Sequence, residues 1–299
     1  MKFELSSDIK HLLILGAGAS VDYGLPTWEK LGALIEEKVN NDGERFEHRK
    51  EILSWLSKIG ENKEYDTIDR CITKESRSKE YRSNGLTIED QIFSATKDIF
   101  KELYKEYDDG WVNKLNQKIL DTSHLEHQIA FLNYNYDNVL DENLLHFDYL
   151  TQKERDVDYR IRRGNLSSKY IPAFYPHGNF FSEDELRRPS HLYKRIDTNK
   201  SELGNVIDAI SCYESKIHEI KKYGNNPIKL YILGLGGGLR INLDHINLEH
   251  PVFEIHVTIK DESKKDEIIK FLNEKYGIPT TQIKIYRTCD ELIENSFGN

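Results

Sequence analysis

Two short apolar runs, each opening into a glycine-rich loop, constrain the fold of this chain more than any other feature. Residues 11–15 lead into the sequence Gly-Ala-Gly-Ala-Ser at 16–20, and residues 229–233 lead into Gly-Leu-Gly-Gly-Gly at 234–238. An apolar run of this length that ends in glycines is typical of a buried strand followed by a sharp turn. Both loops are therefore predicted to lie at the same edge of one sheet.

Further apolar runs alternate with segments of helical periodicity along the chain. Strands are predicted at 127–132, 170–175, 252–258 and 282–286, and amphipathic helices are predicted at 26–39 and 261–276. Alternation of this kind indicates an α/β fold with a mainly parallel sheet and helices on both faces.

The whole chain, 1–299, is predicted to form a single domain. Helical periodicity without a strand signal runs from about residue 40 to 125, which indicates a helical insertion or subdomain. A second helical segment is predicted at 180–225. A length of 299 residues is compatible with one large α/β domain.

Composition excludes several classes of protein. The chain has 42 Lys and Arg against 51 Asp and Glu, a formal charge of −9, which argues against nucleic-acid binding through a general basic surface. Its three cysteines, Cys71, Cys212 and Cys289, form no Cys-x-x-Cys pair, so neither a cysteine-rich zinc module nor a disulfide scaffold is expected. The chain also lacks a signal core and a membrane-spanning run, which indicates a soluble cytoplasmic protein with no membrane partner.

Four segments carry residues suited to binding or catalysis, and each also has a purely structural explanation. Backbone N–H groups of loops 16–20 and 234–238 could approach a phosphate, although both loops could simply be tight turns. Asn135 and Asp137 follow a predicted strand and could bond ribose hydroxyls, although Asp137 or Asn138 could instead cap the next helix. His177 lies beside Gly178 and could exchange a proton near neutral pH, although it could be an ordinary surface histidine.

The order of these segments resembles the sirtuin family, and more narrowly the sirtuin-like NAD-hydrolase domains of bacterial anti-phage defence systems. The resemblance covers residues 11–35, 129–145, 174–179 and 229–258, and it implies a Rossmann-like fold. It implies that Asn135 and His177 are catalytic and that Asn135 positions the water or the nicotinamide ribose. The residues that it places around NAD are Gly16, Ala17, Gly18, Ala19, Ser20, Gly24, Leu25, Pro26, Thr27, Asp137, Gly234, Leu235 and Gly236.

The chain departs from the pattern of protein-deacylating sirtuins at several positions. It cannot supply their four-cysteine zinc module, so no metal is expected. Thr27 follows the Gly-Leu-Pro element where those proteins carry an arginine nearby, Asn133 replaces a threonine, and Gly236 replaces a serine. The missing zinc module weakens deacylation more than NAD binding, because the dinucleotide binds at the edge of the sheet.

The resemblance therefore implies an NAD glycohydrolase that releases nicotinamide and ADP-ribose, with NAD as its substrate. Because uncontrolled NAD loss would be toxic, the resemblance also implies an oligomer or a second protein of the same defence system that gates the activity. Two alternatives stay open. One is a catalytically silent subunit that binds NAD or ADP-ribose, and the other is a zinc-free deacylase or ADP-ribosyltransferase.

Overall fold

Nine strands form two parallel sheets in the part of the chain that the computed structural model describes, residues 2–5, 7–59, 71, 88–137, 139–144, 171, 173–174, 218–222, 226–244, 246–248 and 251–297. The strands are β1 (Lys2–Leu5), β2 (His11–Leu15), β3 (Ile129–Asn133), β4 (Ala173–Phe174), β5 (His218–Lys222), β6 (Ile228–Leu233), β7 (Ile246–Leu248), β8 (Val252–Thr258) and β9 (Ile283–Tyr286). The main sheet has the order β4-β3-β2-β6-β8-β9, and a smaller sheet has the order β1-β5-β7.

Eight helices surround these sheets in the described residues. They are α1 (Trp28–Asn41), α2 (Arg49–Leu56), α3 (Ile88–Leu103), α4 (Trp111–Asp121), α5 (Val139–Asn143), α6 (Gly237–Asp244), α7 (Lys265–Tyr276) and α8 (Cys289–Ser296). Short 3₁₀ turns precede or connect them at Ala17–Ser20, Gly43–Arg45, Leu125–His127, Glu262–Lys264 and Thr280–Gln282. No helix in the described ranges combines the length and the apolar character needed to cross a bilayer.

Strand β2 lies at the centre of the main sheet, which explains its apolar sequence. It pairs in parallel with β3 on one side and β6 on the other, so that Leu13 lies between Phe131 and Tyr231. A strand that is flanked on both edges and covered on both faces needs apolar side chains at successive positions. The predicted α/β fold with a mainly parallel sheet is therefore confirmed.

The two faces of the main sheet belong to two different apolar clusters, since successive side chains of a strand point to opposite faces. Leu13 and Phe131 belong to a cluster that includes residues of α1 to α5 and α8. Leu12 and Ile232 belong to another, with residues of α6 and α7 and with residues of the small sheet. The expected helices on both faces are thus present.

The predicted helical insertion at 40–125 contains α2, α3 and α4 among its described residues. Buried residues of these helices, such as Trp55, Ile92 and Trp111, belong to the same apolar cluster as Leu13 and Phe131. The helices therefore share their core with one face of the main sheet.

The small sheet corrects the sequence-based expectation for residues 180–225. Residues 218–222, at the end of this segment, form strand β5 rather than helix, while 180–217 and 223–225 lie outside the described residues. The sequence of β5 is mostly polar and gives no strand signal of its own. It is a strand because it pairs in parallel with β1 and β7, an effect of tertiary context over local propensity.

Candidate functional site

The candidate site lies at the carboxyl ends of β2 and β6, where the order of the main sheet reverses. From β2 the chain adds β3 and β4 on one side, and later β6, β8 and β9 on the other. Connections that leave in opposite directions from two adjacent parallel strands open a crevice outside their carboxyl ends, and ligands bind in such crevices. The first glycine loop (residues 16–20) follows β2, and the second glycine loop (residues 234–236) follows β6.

The two glycine loops are in direct backbone contact. A Cβ atom built on Gly234 would lie 2.1 Å from the backbone nitrogen of Ala19, and one built on Gly18 would lie 2.7 Å from Gly234 Cα. A Cβ on Gly16 would lie 2.8 Å from the carbonyl oxygen of Gly234, whose φ of +72° also favours glycine. Glycine at these three positions is therefore required by the contact between the loops.

Gly236 and Gly237 have a different environment. Both are exposed, and a Cβ built on either would meet no described atom within 4 Å. Helix α6 begins at Gly237, and its Arg240 N–H already donates to the carbonyl oxygen of Gly236 at 3.1 Å. The end of the second glycine loop and the start of α6 therefore border open space, where the backbone N–H groups of the helix start favour an anion.

Asn135 joins strand β3 to the first glycine loop. Its side-chain nitrogen Nδ2 donates to the carbonyl oxygen of Gly16 at 3.0 Å and to Ser20 Oγ at 3.1 Å. Both Asn135 and Ser20 are 2% exposed. Three segments that are distant in sequence, at 16–20, 135 and 234, thus come together at one edge of the sheet.

The other end of the Asn135 amide has no partner in the described part of the chain. Its oxygen Oδ1 is buried and accepts no hydrogen bond there. The carbonyl of Gly16 can only accept, so this contact fixes the amide orientation, with the nitrogen toward Gly16. A buried acceptor without a donor costs about 1–3 kcal/mol, which a bound hydroxyl or water would recover.

The polar residues on either side of Asn135 have structural partners. Asn133 Oδ1 accepts from the backbone N–H of Asn135 at 2.9 Å, which holds the turn after β3. Asp137 Oδ1 accepts from the backbone N–H of Val139 at 3.0 Å, at the start of α5. Asp137 therefore caps a helix, the structural explanation considered from the sequence, and at least one of its oxygens is engaged.

Residues 24–27 return the chain from the first glycine loop to helix α1. A Cβ on Gly24 would lie 2.3 Å from the carbonyl oxygen of Leu103, at the end of α3. The backbone N–H of Leu25 donates to the carbonyl oxygen of Ser20 at 3.2 Å, and Leu25 is buried, whereas Pro26 and Thr27 are half-buried. This element is packed against the helical part of the chain, with its later residues toward the solvent.

Two residues that sequence reasoning missed hold the glycine loops in place. Trp111 Nε1 donates to the carbonyl oxygen of Ala19 at 2.7 Å, and Thr258 Oγ1 accepts from the backbone N–H of Gly234 at 2.7 Å. Neither belongs to a motif, and Trp111 carries no sequence signal beyond that of a core residue. Thr258 is the last residue of β8, a position at the same edge as the loops, and that placement was the available signal.

A neighbouring cysteine is not a candidate nucleophile. Cys289 lies near Thr258 and Gly234, where burial raises the pKa of its thiol to about 12. The reactive form of cysteine is the thiolate, so this side chain stays inert near neutral pH.

Residues of β8 and α8 form a polar group that contains a serine, a histidine and a glutamate. Ser296 Oγ lies 2.9 Å from His256 Nδ1, and Glu254 Oε2 lies 3.1 Å from His256 Nε2. The hydroxyl of Tyr286 also lies 3.0 Å from Nδ1, and the His256 ring, 1% exposed, stacks on Tyr231 with centroids 4.8 Å apart. Because the imidazole is enclosed by aromatic rings, this group is a structural network rather than a catalytic triad.

The structure brings several of the predicted site residues together, whereas one of them lies outside the described part of the chain. Loops 16–20 and 234–236 and Asn135 meet at the crevice, and Leu235 packs against the apolar cluster that contains Leu12 and Ile232. His177 lies outside the described residues, so its role as a proton acceptor stays a prediction.

Comparisons with known proteins assign no family to the chain. No protein-family model matches it, and a search of curated proteins gives no match either. A functional conclusion therefore depends on the geometry of the crevice and on the resemblance stated from the sequence.

Proposed function

We propose that this protein is an NAD glycohydrolase with a Rossmann-like fold. Numbered along the chain, the strands of the main sheet run 3-2-1-4-5-6, the order of doubly wound dinucleotide-binding domains. The two glycine loops flank the switch point of this order, which is where such domains bind their ligand. This topology supports NAD as the substrate, in agreement with the sirtuin-like order of motifs.

The single observation that carries the proposal is the buried, unpartnered oxygen of Asn135. The amide nitrogen is committed to Gly16 and Ser20, so the oxygen is held in a fixed orientation as an acceptor. A water molecule or a ribose hydroxyl would supply the missing donor. An amide is neither a strong base nor a nucleophile, which suits a residue that orients a reactant without reacting itself.

The proposed reaction breaks the bond between C1′ of the ribose and N1 of nicotinamide. The bonding electrons go to N1, so the cationic pyridinium leaves as neutral nicotinamide and no strong acid is needed. The oxygen of water forms the new bond to C1′, and its proton passes to a base, for which His177 is our candidate. The products are nicotinamide, ADP-ribose and one proton.

Control by a second protein is part of the proposal. NAD cleavage by an ungated enzyme would deplete the cell that makes it, so we propose that a partner or assembly triggers the activity in anti-phage defence. Pro26 and Thr27 are half-buried, and the resemblance assigns them to the border of the nicotinamide side. A partner that changes this border would control access to the reacting bond.

The test is product analysis of NAD incubated with the purified protein, alone and with candidate partner proteins. Asn135→Ala is expected to lower nicotinamide release by about 10²–10³-fold, since it removes one preorganised polar contact. His177→Ala is expected to lower it by about 10²–10⁴-fold if the imidazole takes the proton. Undiminished turnover in both variants would refute the assignment.

Asn116→Ala is the matched control for Asn135→Ala. Asn116 is a buried asparagine on α4 whose Nδ2 donates to the carbonyl oxygen of Asn143 at 2.7 Å, so its loss also costs a buried hydrogen bond. The control is expected to keep its rate of nicotinamide release. Saturable binding of ADP-ribose without nicotinamide release under every condition would instead favour a silent binding subunit.

A further inference from the structure

A turn at the opposite edge of the main sheet brings together two imidazoles and a carboxylate. His124, Glu126 and His127 lie between the end of α4 and the start of β3, and we call residues 124–127 the histidine turn. Among the residues that the structure describes, these three side chains offer ligand atoms that all lie within 4.8 Å of one another.

The backbone of the histidine turn positions the two rings on the same side. Leu125–His127 is a 3₁₀ turn, and the backbone N–H of His127 donates to the carbonyl oxygen of His124 at 3.2 Å, which closes the turn between these two residues. The rings of His124 and His127 are accordingly stacked, with centroids 6.2 Å apart and planes inclined by 25°. Glu126 Oε1 lies 3.2 Å from His127 Nε2, so the carboxylate shares this side of the turn.

His124 adopts a backbone conformation that only a few residue types tolerate. Its φ is +66°, and it is the one non-glycine residue with a positive φ in the described ranges. Asparagine or glycine would satisfy this conformation at least as well as histidine. Histidine is also among the non-glycine residue types enriched in this conformation, so the backbone accommodates the imidazole at this position.

We infer that the histidine turn binds a divalent transition-metal ion, with zinc as the best match to its ligands. Two histidines and one glutamate form a set that zinc accepts, with Zn–N and Zn–O distances of about 2.0–2.2 Å. Tetrahedral ligands at that range are about 3.4 Å apart, so the observed atoms need to approach by about 1.5 Å or less, which side-chain rotation supplies. Magnesium and calcium prefer oxygen ligands and are excluded by the two imidazoles.

The position of the site indicates a structural role. It links α4, whose first residue Trp111 holds the first glycine loop, to β3, which leads into Asn135. The next residue, Gln128, accepts hydrogen bonds from the backbone N–H groups of Lys10 and His11 at 2.8 and 2.9 Å. The five residues of β3 separate the histidine turn from the crevice by about 16 Å, so the ion stabilises the fold without contacting NAD.

The experiment is a zinc titration of untagged protein that has first been stripped with a chelator, followed by competition with a fluorescent zinc indicator. One zinc ion per chain is expected to bind. At a free zinc concentration of 100 times Kd, the Tm is expected to rise by about 4 °C, because zinc binds the folded state preferentially. Magnesium at the same concentration is expected to leave the Tm unchanged.

Two variants test the ligands separately. His124→Gly removes one imidazole but keeps the positive φ, and His127→Gln removes the other. Each is expected to weaken zinc binding by more than about 10–100-fold, the loss seen when only an outer-shell partner is removed. His48→Gln, which removes a half-buried histidine outside the turn, is expected to bind zinc like the natural protein.

The inference is overturned if the natural protein shows no saturable binding at one equivalent of zinc. It is also overturned if His124→Gly and His127→Gln both keep the affinity of the natural protein, since zinc would then bind elsewhere. Neither result bears on the proposed NAD cleavage, because that reaction is placed at the carboxyl ends of the strands and is tested by nicotinamide release.

Discussion

Replacing Gly234 with alanine is expected to destabilise the protein more than the same change at any exposed glycine. Two separate effects act at this position. Its φ of +72° costs an L-residue about 1–2 kcal/mol. The added Cβ would lie 2.1 Å from Ala19 N and 2.6 Å from the carbonyl carbon of Gly18, which are backbone atoms that cannot rotate away. Forced overpacking of this kind costs about 1–3 kcal/mol, so the free energy of unfolding is expected to fall by about 2–5 kcal/mol.

Two other glycines separate these effects. Gly277, in the left-handed cap of α7, has a φ of +67° and nothing within 4 Å of an added Cβ, so Gly277→Ala is expected to show only the strain of about 1–2 kcal/mol. Gly236 has the same open space without a positive φ, so Gly236→Ala is expected to change stability by less than about 0.5 kcal/mol.

The assay is urea unfolding at equilibrium, followed by tryptophan fluorescence, on the natural protein and the three variants. The expected order of stability loss is Gly234→Ala, then Gly277→Ala, then Gly236→Ala. A Gly234→Ala protein no less stable than Gly277→Ala would show that the two glycine loops are not in contact in solution. If Gly234→Ala fails to fold, Gly18→Ala tests the same contact from the other side, since its Cβ would lie 2.7 Å from Gly234 Cα.

Two further predictions concern side chains next to the sheet. Burial, together with the nearby charge of Lys229, lowers the pKa of His11 from 6.5 to about 4. The unfolded chain therefore takes up this proton first, and the free energy of unfolding is expected to fall by up to about 3 kcal/mol between pH 6.5 and pH 4. His11→Gln should lose most of that dependence in urea unfolding across this range, and an equal slope in the variant would contradict the cause given. Trp111→Phe removes the donor to the Ala19 carbonyl oxygen and is expected to cost about 1–3 kcal/mol by the same assay, whereas an unchanged midpoint would mean that the bond contributes nothing.

The main sheet could be predicted from the sequence because its strands are buried apolar runs. The predicted strand at 252–258 has the same bounds as β8, and the runs at 11–15 and 229–233 match β2 and β6 to within one residue. The predicted strand at 170–175 is reduced to the two described residues of β4. A strand that is buried on both faces has a continuous apolar sequence, which can be recognised without knowing which strands pair with it.

The small sheet and the last helix could not be predicted in the same way, for different reasons. The strand β5 depends on its neighbours, and its own residues are polar. Helix α8 carries a local signal instead of an apolar run. Thr288 is followed three residues later by Glu291, which is the spacing of a capping box at a helix start. In the structure Thr288 Oγ1 accepts from the backbone N–H of Glu291, and the Glu291 carboxylate accepts from the backbone N–H of Arg287. This is a capping box displaced by one residue on its return bond.

The candidate site was predictable as a set of segments but not as a set of contacts. Glycines in loops 16–20 and 234–236 and a polar residue at 135 mark strand ends, and parallel strands place those ends together. The sequence did not indicate that Gly16, Gly18 and Gly234 would pack on one another, which is a tertiary property. The supports from Trp111 and Thr258 are of the same kind, since each is a single side chain brought in from a distant segment.

The contact between Gly234 and the first glycine loop also determines when the crevice can form during synthesis. A nascent chain that still lacks residue 234 has made β2 and its loop, but β2 has no β6 beside it and the loop has no backbone to pack against. The crevice is therefore assembled only after β6 and Gly234 have left the ribosome. For the NAD glycohydrolase proposed above, translation itself would then delay the onset of activity until β6 and Gly234 have been made.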